Sequence, residues 1–269
     1  MVTVETTRVV LGVEYNGSPY QGWQAQKHTT DTVQAELEAA LQFVANEKVR
    51  VFCAGRTDSG VHALTQVVHF DTKNPRTIRA WIEGTNTRLS HNVRVRWAQF
   101  TNKNFHARFS AFARRYCYVI DNRAVRSALM NKQLSWQRRE LDTKLMQEAA
   151  DMLVGEHDFT SFRHVHCQAK SPVKTVYHLN VKRRGYFVTI DIKANAFLHH
   201  MVRNIAGVLM AIGYGKQNPE WCRVILDARD RRHSGETAPP FGLYLIDIDY
   251  PEEFAITKME TELPFLINQ

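Results

Sequence analysis

The sequence predicts an α+β fold of two ferredoxin-like (RRM-like) βαββαβ halves sharing a central, mostly antiparallel sheet. Two observations predict it. Strands of period two and helices of period 3.6 follow one another as strand, helix, strand, strand, helix, strand, and the theme comes twice in 269 residues. That length also accommodates two domains of about 130 residues each. The polar stretch Thr101 to Asn104 marks the boundary, giving halves 1–104 and 105–269.

In the first half, Val9, Leu11, Val13 and Tyr15 alternate as a half-buried strand that ends at the turn Asn16-Gly17-Ser18-Pro19. Asp31 and Gln34 have capping-box spacing, and Val33, Leu37, Ala40, Leu41 and Val44 follow at helical spacing. Val49 to Cys53 and Thr65 to Phe70 are β-rich runs around the polar loop Ala54 to His62. A second helix is expected from about Thr77 to Leu89, then a strand through Val93, Val95 and Trp97. The second half predicts strands at Ala113 to Asp121, Thr175 to Lys182, Tyr186 to Lys193 and Gly242 to Tyr250. Its helices are expected at Asp142 to Leu153 and Ala196 to Gly213. The halves share no visible sequence identity, so the similarity between them is one of architecture.

Composition narrows the function classes. No apolar run reaches the roughly 18 residues that a membrane span needs, so no membrane role is expected. Met1 to Thr7 lacks the basic and apolar regions of a secretory signal. Cys53, Cys117, Cys167 and Cys222 form no C-x-x-C pair, which disfavours a zinc ribbon or disulfide scaffold and fits a reduced, cytoplasmic protein. Lys and Arg number 35 against 27 acids, a formal net charge of +8. Such an excess favours a polyanionic partner, although an unspecialised basic enzyme would show it too. Several arginines adjoin aromatics, as in Phe105 to Phe109, Arg114-Arg115-Tyr116 and Phe162-Arg163. Guanidinium groups hold phosphate and aromatic rings stack on unpaired bases, so the pattern leans toward RNA.

The densest chemistry lies in Cys53-Ala54-Gly55-Arg56-Thr57-Asp58-Ser59-Gly60-Val61-His62. Glycines on both sides let the backbone turn sharply and present Arg56, Thr57 and Asp58 at a cleft. Composition alone favours a tight turn in which Asp58 caps its own backbone. On the helix expected from Ala196, a projection at about 100° per residue gathers Phe197, Leu198, Met201, Val202, Ile205, Val208, Leu209 and Ile212 on one face. Arg203 lies opposite with His199, Ala206 and Gly207, which by itself reads as a solvent-facing arginine. Tyr116 and Tyr118 share a strand face, as core tyrosines commonly do.

Gly55 to His62 resembles the nucleophile loop of the bacterial tRNA pseudouridine synthase A family, with Ser59 where the family usually has alanine. Further segments match in order along almost the whole chain: Glu14 to Gly17 with Gly22-Trp23-Gln24, Phe105 to Ala111, Arg114 to Tyr118, Phe159 to Phe162, Phe197 to Ile205, and Gly242 to Leu245. The resemblance implies the pseudouridine synthase fold, with the nucleophile loop in the first half and the stacking tyrosine and arginine helix in the second. It implies an isomerase that moves uracil from an N1 to a C5 glycosidic bond at tRNA positions 38, 39 and 40, without metal or cofactor. Asp58 would be the carboxylate, acting as nucleophile or as a base on a sugar proton. Arg203 would be the cation that keeps it ionised. Tyr116 would stack on the extruded uracil and assist at its C5 proton, and Leu243 would wall the site. Arg56 would fill the vacated space or hold the flipped nucleotide's phosphate.

The same resemblance assigns tRNA contacts to Arg76, to Phe105, His106, Ala107, Arg108 and Phe109, to Arg114, and to His166, Cys167, Gln168, Ala169 and Lys170. It also implies a homodimer, which assembles the tRNA surface from two subunits. His164, His166 and Cys167 raise a metal question, but no second ligand pair stands at ordinary spacing, and His199 and His200 point about 100° apart if helical. No metal is therefore expected. The rivals are a non-catalytic RNA-binding protein, which leaves the Arg56-Thr57-Asp58 loop unexplained, and a metal hydrolase using Asp58 and the histidines.

Overall fold

In the computed structural model, which describes residues 6–26, 29–259 and 262–266, the chain divides into two compact units. One comprises the chain up to Phe112 together with Leu245–Glu262, the other Ala113–Tyr244 and the residues from Leu263 on. Residues 1–5, which carry most of the segment read as lacking a secretory signal, lie outside the described residues.

The first unit begins with β1 (Thr7–Tyr15). Alternation predicts a half-buried strand, yet Val9, Val10, Leu11 and Val13 are all buried, because β1 is central and covered on both faces. Gly12 is required there, since a Cβ would collide with the Trp97 indole. Helix α1 (Val33–Ala45) follows. Its cap is Thr32, whose hydroxyl accepts from the Ala35 N–H, one residue later than the Asp31 box predicts. Asn46, left-handed at φ 52°, ends it.

Strand β2 (Phe52–Cys53) is only two residues long, while β3 (His62–Thr72) is longer than its apolar run suggests. The expected second helix is 78–86, and its middle, Ala80–Gly84, is a π-helical turn. Strand β4 (Val93–Thr101) completes the unit. β1 pairs antiparallel with β3 and β4, and β2 with β3, which gives the ferredoxin-like order β4-β1-β3-β2.

The second unit opens with β5 (Ala113–Asp121), at the predicted bounds, and the two-residue β6 (Ser135–Trp136), its parallel neighbour. Helix α2 (Thr143–Asp151) is capped by the Asp142 carboxylate, which accepts from the N–H groups of Lys144 and Leu145. Then come β7 (Gly155–Asp158), β8 (Val173–Arg184) and β9 (Phe187–Ala194), ordered β5-β9-β8-β7 and antiparallel throughout. Helix α3 (Met201–Gly213) starts five residues later than its apolar periodicity suggests, because His200 is left-handed at φ 64°. Helix α4 (Trp221–Ala228), which periodicity did not predict, follows, and the last strand in chain order, β10 (Leu243–Asp249), belongs from Leu245 on to the first unit. The fold is thus mixed α+β with mostly antiparallel pairing, as the sequence predicts. No helix among the described residues is long and apolar enough to cross a membrane.

Candidate active site and RNA contacts

The loop between β2 and β3 is pinned from three sides within the first unit. The Thr57 hydroxyl shares a 2.8 Å hydrogen bond with the Tyr15 phenol on β1. The Thr57 carbonyl accepts from the Trp23 N–H at 3.0 Å, and the Gln66 amide on β3 donates to the Gly55 carbonyl at 2.6 Å. Val61 N–H donates to the Asp58 carbonyl and closes the turn, with Gly60 at φ 78°. Thr57 is buried, Asp58 half-buried and Arg56 exposed, so the loop anchors on its threonine and offers its two charged neighbours outward.

The segment Gly17 to Trp23 runs against this loop. A Cβ on Gly22, itself at φ 93°, would sit 2.9 Å from the Thr57 carbonyl, and one on Gly17 would collide with that of Val61. Gly17 N–H also donates to His62 Nδ1 at 3.1 Å. The glycines noted beside the loop motif are therefore its packing partners. Ser59, where the family usually has alanine, adds a bond to the Tyr20 carbonyl at 3.1 Å.

Residues 105–109 also belong to the first unit. Phe105 is fully buried against Tyr250 and Phe254, and its carbonyl accepts from Arg8 at 2.6 Å. Ala107 is fastened at both ends: its N–H donates to His69 Nδ1 and its carbonyl accepts from the Tyr250 hydroxyl. Phe109, 76% exposed, packs on His106 at 4.4 Å with Arg108 over its ring. Phe105 and Ala107 are therefore anchors, and His106, Arg108 and Phe109 are presented. Arg56 and Arg108 both act electrostatically on the Cys53 thiol, which burial nonetheless pushes up to about 12. Arg76 is exposed and donates to the Val44 carbonyl at the end of α1.

In the second unit, Tyr116 on β5 is buried with its ring edge-on to Phe197 at 5.0 Å. Tyr118, on the same strand face, donates to the Pro239 carbonyl at 2.9 Å, and burial raises its phenol. Arg203 on α3 does not read out as a plain solvent-facing arginine. Its Nε donates to the Ala238 carbonyl at 2.9 Å, and the Ala238 N–H returns a bond to the Arg203 carbonyl. The strap Gly235 to Ala238 thus lies along the α3 flank of small residues and aims the guanidinium. Arg231, which sequence reasoning missed, ties the strap down by donating to Gly235 O, Thr237 Oγ1 and Asn204 Oδ1 at 3.0, 3.0 and 3.2 Å. Leu243 is buried at the start of β10.

Arg114 donates to the Asn195 carbonyl across the β5–β9 pair. His166, Gln168, Ala169 and Lys170 are exposed and Cys167 half-buried, in a turn closed by Cys167 N–H on the His164 carbonyl.

A model of the tRNA pseudouridine synthase family matches residues 12–110 and 149–251, which include the Asp58 loop and all of α3. The chain belongs to that family. Proteins described as tRNA pseudouridine synthase A are 55% identical in Alcanivorax borkumensis (93% of this chain, 94% of that one) and 54% in Pseudomonas aeruginosa (94% and 88%). The Aliivibrio fischeri relative is 52% identical over 97% of this chain and 99% of its own. Pseudouridine synthases are isomerases, and this chain is accordingly an enzyme of that class. Part of a chain in a Cbf5-Nop10-Gar1 complex is also similar, at 11% identity over 88% of this chain and 48% of that one, with a TM-score of 0.40.

One local expectation changes in this pseudouridine synthase. His199 and His200 precede the helix, so helical geometry does not separate them, and their rings lie 4.2 Å apart. His164 joins them at 4.8 and 4.6 Å. The His164 Nδ1 accepts from the His166 N–H at 3.2 Å.

Proposed function

We propose that this enzyme isomerises uridines 38, 39 and 40 of the tRNA anticodon stem-loop, with Asp58 as nucleophile. In this reading the Asp58 carboxylate adds to the ribose C1′ as uracil departs with the N1 electron pair. The base turns, its C5 reattaches to C1′ as the ester bond breaks, the C5 proton is lost and N1 takes up a proton, so that the product is an isomer of the substrate. Arg203 supplies the cation that favours an ionised carboxylate, Tyr116 stacks on the extruded base, and Leu243 walls it. Arg56 takes the flipped nucleotide's phosphate or its vacated space. Arg76, Phe105 to Phe109, Arg114 and His166 to Lys170 hold the tRNA backbone. No metal or cofactor takes part, two chains form the working dimer, and the enzyme acts in the cytoplasm on tRNA.

The observation that carries this reading is the anchored Asp58 loop. Bonds from Trp23 and Gln66 hold its backbone and the Tyr15 phenol holds the Thr57 hydroxyl before substrate arrives, so the backbone that carries the carboxylate is ordered in advance. The test is tritium release from transcript tRNA labelled at uridine C5, without added metal, for wild type and Asp58→Asn. Release by wild type alone, mapped to positions 38 to 40, is expected. Equal release by both would discard Asp58. A folded wild type that binds tRNA but releases nothing would leave an RNA-binding protein. The dimer is checked by analytical ultracentrifugation at micromolar concentration, where monomer alone would exclude it.

A further inference from the structure

Phe52 is the first residue of β2 and 48% exposed, on a strand that precedes the Asp58 loop by a single turn of chain. A lone exposed phenylalanine is ordinary on a protein surface. This one is held differently. One side of its ring lies on the His69 imidazole, at 5.2 Å between centroids and 22° between planes. His69 is 2% exposed and is locked by the Ala107 N–H on its Nδ1, with Phe105 edge-on to its ring. His106 leans on both Phe52 and His69, at 5.5 and 4.6 Å, and Phe109 extends the ladder outward. Burial and the nearby His106 and Arg8 push the His69 imidazole down to about 4, so the ring behind Phe52 is neutral at physiological pH.

The result is a rigid aromatic ladder with wet rings at both ends and a buried middle. A cation borders it, since Arg108 lies over the Phe109 ring at 5.6 Å and Phe109 packs on the His106 that leans on Phe52. The core of a protein–protein interface is depleted in charge around its aromatic anchors. An aromatic face bordered by a guanidinium group suits a nucleotide instead, with the base on the ring and its phosphate on the arginine.

We propose that the outer face of Phe52 is a stacking seat for an unpaired base of the RNA substrate, with Arg108 engaging a flanking phosphate. This deepens the reading that residues 105–109 touch tRNA, and it adds a residue which that reading does not include. A ring fixed from behind loses little freedom when a base lands on it, so the contact contributes nearly its full stacking strength.

The test compares full-length wild type, Phe52→Leu and Phe52→Tyr for binding of unmodified tRNA transcript, an anticodon hairpin, and a blunt duplex of equal length. Leucine keeps apolar area and loses the ring face, whereas tyrosine keeps the face. The expected result is a Kd about tenfold higher for Phe52→Leu on tRNA and hairpin, within twofold of wild type for Phe52→Tyr, and no difference on duplex. Thermal melts within a degree or two would show that the fold is kept. Wild-type affinity in Phe52→Leu would overturn the seat, and so would an equal loss on duplex. If Phe52→Trp gives a fluorescence shift that depends on protein concentration without RNA, a second chain covers the ring and the proposal also fails. All arms read binding, so a wild type that binds but does not isomerise at 38 to 40 would sink the proposed function and leave the seat standing.

Discussion

Protonating His69 would place a positive charge between Phe52, Phe105 and His106, with Arg8 close enough to repel it. Burial is the largest cause of its depressed pKa, which falls to about 4, whereas an unfolded imidazole titrates near 6.5. Between those values the unfolded chain binds a proton that the folded chain refuses. Stability from this group is therefore complete above about pH 6.5 and lost as pH falls toward 4, by at most about 3 kcal/mol. The nearby Asp71 opposes the trend only weakly, because its own carboxylate is committed to Arg8 at 2.8 Å. Denaturant melts of wild type and His69→Gln at pH 7.5 and 5 should show the wild type losing more stability over that interval. Parallel losses would mean that His69 is not the acid-sensitive group. The aromatic ladder holding Phe52 should loosen over the same pH range.

At the scale of elements, the strap over α3 reverses a familiar sign. Glycine inside a helix ordinarily costs about 1 kcal/mol relative to alanine, so Gly207→Ala on α3 would be expected to stabilise. Here the added Cβ would collide with the Glu236 carbonyl of the strap. The strap would have to move, and the Ala238 carbonyl that aims Arg203 moves with it. Gly207→Ala should lower the melting temperature and, in the role proposed for Arg203, reduce kcat about tenfold with KM for tRNA within a factor of two, because that role is in the chemical step and not in holding the tRNA backbone. Unchanged melting and turnover would show that the strap gives way freely.

Legibility of the sequence followed local signals of this kind. β5, β8 and β9 announce themselves by alternation, and the loop around Asp58 by its density of glycine and charge. The start of α3 did not, since the left-handed backbone at His200 breaks a helix whose apolar spacing continues through it. Arg231 sits in the run Arg229 to Arg232 and reads as solvated charge until Asn204 and Thr237 are seen around it. Phe52 lies within the β-rich run Val49 to Cys53, which carries no sign that β2 pairs with β3 over only two residues and leaves the ring half in water.

For the whole molecule the relevant quantity is the net charge of +8, carried by 35 basic residues among 269. Charge of this size attracts any polyanion, so affinity for tRNA alone says little about recognition. Salt separates the two contributions. Each phosphate neutralised releases counterions, and log Kd should rise linearly with log salt at about 0.7 to 0.9 per contact. The exposed arginines proposed to touch RNA include Arg56, Arg76 and Arg108, with Lys170 beside them in the reading. Four such contacts give a slope of about 3. Replacing Arg108 by glutamine should lower that slope by nearly one unit and weaken binding to all RNAs alike. Phe52→Leu should instead leave the slope unchanged while weakening the hairpin selectively, because stacking releases no counterions. A slope near zero for wild type would mean that the positive charge serves something other than holding the RNA backbone, and both sets of contacts would have to be reassigned.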